Sequence, residues 1–151
     1  AGVTHGLVVH HFGSREALIT EALRLAVARS VDNTLMTGDT SNLAHFAQDL
    51  PQLVTDDPEL QSFQFELVLE ARRNPELMPI AEELYDTYRV AVARELARFG
   101  IDDPLTADLV FAALDGLTFQ QVTLRGPEQT RAAIARLVEL LGLLRGQISR
   151  E

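Results

Sequence analysis

Apolar residues recur every three or four positions along almost the whole chain, which is the spacing of one face of an α-helix. Strand-like alternation of apolar and polar residues is nearly absent, and the pair Val8-Val9 is too short to form a strand by itself. The pattern therefore predicts an all-α fold, a bundle of helices. Seven helical segments are predicted, at about residues 4–11, 14–34, 42–54, 58–73, 76–99, 104–124 and 128–145.

Gly, Pro, Asn and Asp mark the ends of these segments. Asp57 and Asp103 each stand directly before a proline. In each Asp-Pro dipeptide the aspartate can cap the start of a helix, and the proline suits its first turn. Asn74 and Gly126 also precede prolines and separate further segments. The breaks are therefore predicted from turn chemistry as well as from the loss of periodicity.

The charge is distributed unevenly along the chain. It has 22 acidic against 13 basic residues, and every basic residue is an arginine. Residues 1–15 contain no acid, one arginine and three of the four histidines. Because an acidic surface repels a polyanion, any contact with nucleic acid is expected in this opening segment.

Several classes of site find no support in the sequence. There is no cysteine, which excludes disulfides and thiolate metal sites and is compatible with a cytoplasmic location. The adjacent His10 and His11 point to different sides of a helix and make a poor metal pair. There is no Gly-rich phosphate loop, no His-Glu-x-x-His motif and no apolar run of about 18 residues. We expect neither an enzyme nor a cofactor or metal, and no membrane span.

The last two predicted helices have apolar faces wider than one-sided packing requires. Each is expected to bury two faces. Both could be central helices of a monomer, or they could pair with their copies across a two-fold axis as a four-helix interface. The predicted interface residues are Val110, Leu114, Leu117, Leu137, Leu141 and Leu144.

The opening segment contains a short helix that is entered through a Gly turn and left through Phe12-Gly13-Ser14. This order is typical of the second half of a helix-turn-helix, whose second helix enters the major groove of DNA. An ordinary capped helix with surface histidines fits the same pattern.

The first 18 residues resemble the signature of the TetR family of bacterial transcriptional repressors. The matching residues are Ala1, Gly2, Val3, Gly6, Phe12, Ser14 and Leu18, with Thr4, Val8 and Arg15 as close replacements. The stretch Leu114-Asp115-Gly116-Leu117 also resembles the family's eighth helix. The resemblance implies a recognition helix within residues 1–13, a connector helix over 14–34 and a ligand-binding and dimerisation domain over 35–151. It also implies that the first two helices of the DNA-binding head lie upstream of this chain.

The resemblance further implies a homodimer that represses transcription and is released from its operator DNA by a small-molecule ligand. The residues expected to contact DNA are Thr4, His5, Leu7, Val9, His10 and Arg15. Val9 stands where the family has a tyrosine, so a phenolic phosphate contact is lost, and Leu7 could meet a thymine methyl group. The alternative function is an all-α homodimeric interaction module that does not bind DNA.

Candidate ligand-binding residues are aromatic or polar side chains on otherwise apolar helix faces. They are Phe63, Phe65, Glu66, Glu70, Tyr85, Tyr88, Phe111, Asp115, Phe119 and Gln120. The Phe residues could instead be ordinary core, and Glu66 and Glu70 could form surface salt bridges with Arg72 or Arg73. Asp115 lies on an apolar face, where a carboxylate needs a partner. That partner could be an arginine of the protein or a donor on the ligand.

Overall fold

The computed structural model of the protein describes residues 17, 18, 20, 21 and 25 and the continuous stretch 42–148. The described stretch contains five α-helices and two 3-10 helices, and the predicted all-α fold is confirmed. The α-helices are α1 (Leu50–Asp56), α2 (Pro58–Ala71), α3 (Met78–Arg98), α4 (Pro104–Thr123) and α5 (Pro127–Ile148). The 3-10 helices are η1 (Leu43–His45) and η2 (Pro75–Leu77). Among the described residues, no helix combines the length and the apolar character needed to cross a membrane.

Helices α2 and α4 begin where the sequence predicts. The Asp57 carboxylate accepts a hydrogen bond from the Leu60 backbone N–H at 3.0 Å, and Asp103 accepts one from the Thr106 N–H at 2.9 Å. The Thr106 hydroxyl also donates to Asp103 at 2.6 Å, and these bonds hold the pKa of the Asp103 carboxyl below its usual range. Each carboxylate thus satisfies a backbone donor that a helix start leaves unpaired.

The predicted helix over residues 42–54 is wrong as a single element. The structure has η1 over Leu43–His45 and then a separate α1 that starts at Leu50, with Ala47 between them at a φ of 54°. A non-glycine residue in the left-handed region interrupts a helix. The neighbouring Pro51 lies in the first turn of α1. It was a sequence signal for a new helix start that the prediction did not use, because proline suits a first turn and disrupts a helix interior. The segment predicted over 76–99 likewise begins as η2 before α3, and α5 continues to Ile148.

The end of α3 is fixed by a left-handed glycine. Gly100 has a φ of 77°, and the Ile101 N–H donates to the Leu96 carbonyl at 3.1 Å. The Gly100 N–H donates to the Ala97 carbonyl at 3.0 Å, which completes the Schellman pattern of paired C-terminal bonds. Ile101, 1% exposed, packs into the core directly after the turn. The chain is thereby turned back so that α4 lies against α3.

Helix α4 is central, because it packs against α1, α2, α3 and α5. Two groups of buried apolar residues surround it. The larger core consists of Leu43, Phe46, Leu50, Val54, Val92, Leu96, Ile101, Ala107, Val110, Phe111, Leu114, Ile134 and Leu141. The smaller core consists of Leu67, Ala71, Leu77, Ala81 and Leu84, contributed by α2, η2 and the first half of α3. Tyr85 and Tyr88 on α3 pack against both cores.

Candidate functional site

A narrow cavity of about 70 Å³ lies where α1, α2, α3 and α4 meet. This volume holds a few water molecules and is smaller than the few hundred Å³ usual for ligand pockets. The walls are mostly apolar and carry a small number of polar side chains. The lining residues are Ala47, Leu50, Leu53, Gln61, Gln64, Phe65, Tyr88, Val92, Phe111, Leu114, Asp115 and Thr118.

Three aromatic rings form one side of the site. The Phe111 ring meets the Tyr85 ring edge to face, with centroids 5.4 Å apart, and stacks on the Tyr88 ring at 6.4 Å. Both arrangements are favourable for aromatic quadrupoles. Because Phe111 is on α4 and the two tyrosines are one turn apart on α3, the rings fix the distance between these helices.

Asp115 is paired with a tyrosine hydroxyl. The Tyr85 hydroxyl donates to the Asp115 carboxylate, with 3.3 Å to Oδ1 and 3.4 Å to Oδ2. Burial raises the pKa of Asp115, while the bond from Tyr85 and the positive charge of Arg89 act in the opposite direction. Burial and the nearby Asp115 charge raise the pKa of the Tyr85 hydroxyl, so it stays protonated as a donor. The sequence predicted an arginine or a ligand as the partner of Asp115, and neither expectation anticipated Tyr85.

Arg89 lies beside this pair without forming a salt bridge to Asp115 among the contacts described. Its guanidinium carbon is 5.9 Å from the Tyr85 ring centroid and 5.5 Å from that of Phe111, which places a cation against both rings. The guanidinium pairs with Asp86 at 2.7 Å and with Asp108 at 3.8 Å. Arg89 therefore closes the outer side of the aromatic group and links α3 to α4.

A second polar pair joins α2 to α3. The Tyr88 hydroxyl donates to Gln64 Oε1 at 3.3 Å. Gln64 is 8% exposed, and its Nε2 is buried without a hydrogen-bond partner in the part of the chain that the structure describes. A buried amide donor of this kind is uncommon in folded proteins. The residues that line the cavity thus include a carboxylate with one long hydrogen bond and an amide whose buried nitrogen has no partner in the described part of the chain.

The structure brings together about half of the predicted ligand-binding residues. Phe65, Tyr88, Phe111 and Asp115 line the cavity, and Tyr85 reaches it through Asp115. Phe119 is 43% exposed and touches the site only through an edge-to-face contact with Phe65, 5.1 Å between centroids. Gln120 is not among the lining residues.

The remaining three predicted residues lie elsewhere. Phe63, Glu66 and Glu70 line a separate, open groove on α2. Glu70 pairs with Arg73 at 3.7 Å, which is the surface salt bridge that the alternative interpretation predicted. No group of three or more histidine, aspartate or glutamate side chains in the described stretch could hold a metal ion.

Sequence reasoning missed the two glutamines of α2 that line the cavity, Gln61 and Gln64. A signal was present for Gln64, because it follows Leu60 by four positions and precedes Leu67 by three, in register with the apolar face. A polar residue in that register indicates either a buried hydrogen bond or a binding site. Thr118 of α4 is also a lining residue.

The six residues predicted for a dimer interface lie in or against the core of the single chain. Val110, Leu114 and Leu141 are 2%, 7% and 4% exposed and have little surface left to offer a partner. Leu117, Leu137 and Leu144 are partly buried against the larger core. The large apolar side chains that are exposed on the described parts of α4 and α5 are Leu105, Leu109, Phe119, Leu140 and Leu143, and Leu124 is exposed directly after α4.

The residues predicted to contact DNA, Thr4, His5, Leu7, Val9, His10 and Arg15, lie outside the described residues, as does the predicted recognition helix over 1–13. Within the predicted connector over 14–34, the described residues 17, 18, 20, 21 and 25 are helical.

Comparison with known proteins gives one match. A family model described as "Tetracyclin repressor-like, C-terminal domain" matches residues 39–140. This span contains α1 to α4, most of α5 and every residue that lines the cavity. No curated protein and no solved structure matches the chain.

Proposed function

Because the chain belongs to the TetR family of transcriptional regulators, we propose that it is a DNA-binding repressor that a small-molecule ligand releases from its operator. The observation that carries this proposal is the mostly apolar cavity with two convergent polar pairs, Tyr85 with Asp115 and Tyr88 with Gln64. Apolar walls with a few placed polar groups are typical of small-molecule sites.

Two separate parts of the sequence support the DNA-binding half of the proposal. The signature residues lie within positions 1–18, whereas the family match covers 39–140, so the two do not overlap. In the opening segment, Arg15 and His10 supply the groups best suited to phosphate contacts. Thr4 and His5 are also expected to contact mainly phosphates, and Leu7 could meet a thymine methyl group.

The ligand-binding half rests on where the cavity lies. It touches four helices, so a ligand that widens it must change how they pack. A ligand shifts a conformational equilibrium only as far as its affinities for the two states differ. A ligand too large for the cavity of about 70 Å³ binds only when the walls lie further apart, and this requirement supplies such a difference.

DNA binding is tested by selecting duplexes from a random pool with the full-length protein. We expect enrichment of a palindromic operator. Arg15→Gln should weaken operator binding and lower the slope of log affinity against log salt by about one. The matched control is Arg125→Gln, an exposed arginine in the loop before α5, which should leave both unchanged. Failure to enrich any sequence would favour the alternative, an interaction module without DNA binding.

We also propose a homodimer that uses the exposed leucines of α4 and α5. Leu109, Leu140 and Leu143 are 70%, 49% and 66% exposed in the single chain. Charged substitution by Leu143→Arg should convert a dimer to a monomer in size-exclusion chromatography with light scattering. Leu69→Arg on α2, where the leucine is 55% exposed, is the matched control and should stay dimeric. A monomeric wild-type chain at tens of micromolar would contradict the proposal.

A further inference from the structure

The polar groups of the cavity restrict the kind of molecule that it can hold. Asp115 supplies a carboxylate that already accepts the Tyr85 hydroxyl. Gln64 supplies an amide of which only the oxygen is used, because Oε1 accepts from the Tyr88 hydroxyl at 3.3 Å. Its Nε2 is a buried donor with no acceptor among the described residues. The Gln64 nitrogen therefore requires a hydrogen-bond acceptor, whereas the Asp115 carboxylate, with one bond from Tyr85, has no unpaired donor.

Charged ligands meet this requirement poorly. A protonated amine has only donors, so it would leave Gln64 Nε2 unpaired. A carboxylate is an acceptor, but it would share a small, mostly apolar cavity with the Asp115 carboxylate, and like charges at short range repel. A neutral oxygen, as in a ketone, an ester or an ether, accepts a hydrogen bond without adding charge.

We propose that the cavity is the receptor site for a small uncharged molecule with an apolar frame, whose acceptor oxygen takes the unpaired hydrogen bond of Gln64 Nε2. This inference names the ligand class of the site and rests on the proposed function for its biological role. At about 70 Å³ the cavity favours a frame no larger than a single small ring unless its walls move apart.

The unpaired nitrogen also supplies a reason for the site to respond to its ligand. In the closed state, defined as the wall spacing that the structure shows, Gln64 Nε2 is buried without a hydrogen-bond partner among the described residues, and a buried unpaired donor disfavours such packing. A ligand that reaches the nitrogen restores the missing bond and separates the walls at the same time. The ligand thereby gains affinity for the widened state over the closed state, which is the condition for a switch.

Four probes that share a five-membered carbon ring test the proposal on the 151-residue chain: cyclopentanone, cyclopentane, cyclopentylamine and cyclopentanecarboxylate. Binding is followed by the chemical shift of the Gln64 side-chain NH₂ group in ¹⁵N-labelled protein. We expect cyclopentanone to shift this signal and to bind about tenfold more tightly than cyclopentane, because it adds one buried hydrogen bond. Cyclopentylamine and cyclopentanecarboxylate should bind more weakly than the ketone.

Two variants on the same helix separate the amide from the general polarity of the cavity. Gln64→Met has a similar volume and removes the donor, so cyclopentanone should lose its tenfold advantage over cyclopentane. Gln61→Met makes the same change at a second glutamine that lines the cavity and should keep the advantage. The thermal unfolding of both variants is measured to confirm that they fold.

Three results would overturn the proposal: equal affinity for cyclopentanone and cyclopentane, a preference for the amine or the carboxylate, or no binding of any probe at saturation. Retention of the ketone preference in Gln64→Met would do the same. None of these results bears on operator binding. A chain that prefers the ketone while the full-length protein selects no operator would refute the proposed function and leave this inference standing.

Discussion

The two cores of the molecule differ in how many elements they join. The larger core ties η1, α1, the second half of α3, α4 and α5 together, whereas the smaller core joins only α2, η2 and the first half of α3. Helix α2 is anchored through Leu67 and Ala71 near its C-terminal end, and its Gln61, Gln64 and Phe65 border the cavity instead. Segments with fewer buried apolar contacts open at lower free energy. The comparison indicates that α2 is the wall that yields to a ligand, against a scaffold of α1, α4 and α5.

The two buried glutamines, one on α4 and one on α2, differ in the hydrogen bonds that they make. Gln121 Nε2 donates to the Pro51 carbonyl at 2.7 Å and to the Thr55 hydroxyl at 3.2 Å, which fastens α4 to α1. The nitrogen of Gln64 on α2 is unpaired among the described residues, and its oxygen has one longer bond from Tyr88. Gln121 Oε1 is itself buried without a partner among the described residues. Each glutamine therefore leaves one amide atom unpaired, and the difference is that Gln121 uses its donor whereas Gln64 uses its oxygen.

The largest expected effect comes from removing a leucine from each core. Leu96 and Leu84 are both 0% exposed, so Leu96→Ala and Leu84→Ala delete the same buried atoms in the larger and the smaller core. Each should lower the free energy of unfolding by about 2–5 kcal/mol, with Leu96→Ala towards the upper end. Urea denaturation measures the loss.

Hydrogen exchange distinguishes the two variants. Leu96→Ala should weaken protection throughout the helices, because the larger core joins most of them. Leu84→Ala should weaken it chiefly in α2 and η2. Equal loss of protection in α5 for both variants would show that the two cores behave as one cooperative unit, and α2 would not be the yielding wall.

The next largest effect on stability is expected from the two buried glutamines. Gln121→Met removes the unpaired Oε1 but also loses two hydrogen bonds to α1, so it should still lower the free energy of unfolding, by about 1 kcal/mol. Gln64→Met should be neutral or slightly stabilising, because it removes an unsatisfied buried donor together with one long bond. Thermal unfolding of both variants under one condition tests the sign of the difference. A Gln64→Met variant that loses as much as Gln121→Met would mean that the Gln64 nitrogen is satisfied in solution.

What the sequence could predict follows from how local each feature is. The starts at Asp57 and Asp103 depend on residues within one helical turn, and both were predictable from the Asp-Pro pairs. The left-handed conformation of Ala47 was not, because alanine has no local preference for it, although Pro51 does indicate a helix start close by. Asp115 was recognised as needing a partner, but the choice of Tyr85, thirty positions away, depends on how α3 lies on α4. Gln64 carried a pattern signal, but only the tertiary structure shows which of its two atoms is unpaired.

The smallest expected effect is a pH dependence of stability, which arises where Tyr85 of α3 meets Asp115 of α4. Burial raises the pKa of Asp115, so the folded chain holds this proton more tightly than the unfolded chain. Stability should therefore fall as the pH rises from the ordinary pKa of an aspartate to the raised value, and this loss of stability persists at neutral pH.

Asp115→Asn keeps an oxygen for the Tyr85 hydroxyl and carries no charge. It should be more stable than the wild type near neutral pH, with the advantage shrinking as the pH falls through this window. Tyr85→Phe removes the bond that lowers the pKa of Asp115 in the folded chain. The pH range over which stability falls should therefore extend to a higher pH, while its lower end stays the same. Urea denaturation from about pH 3 to pH 7 measures both variants. If the stability difference between Asp115→Asn and the wild type did not change with pH, ionisation of Asp115 would carry no cost in folding free energy. The Asp115 carboxylate would then not be a weakly satisfied group in the contact between α3 and α4.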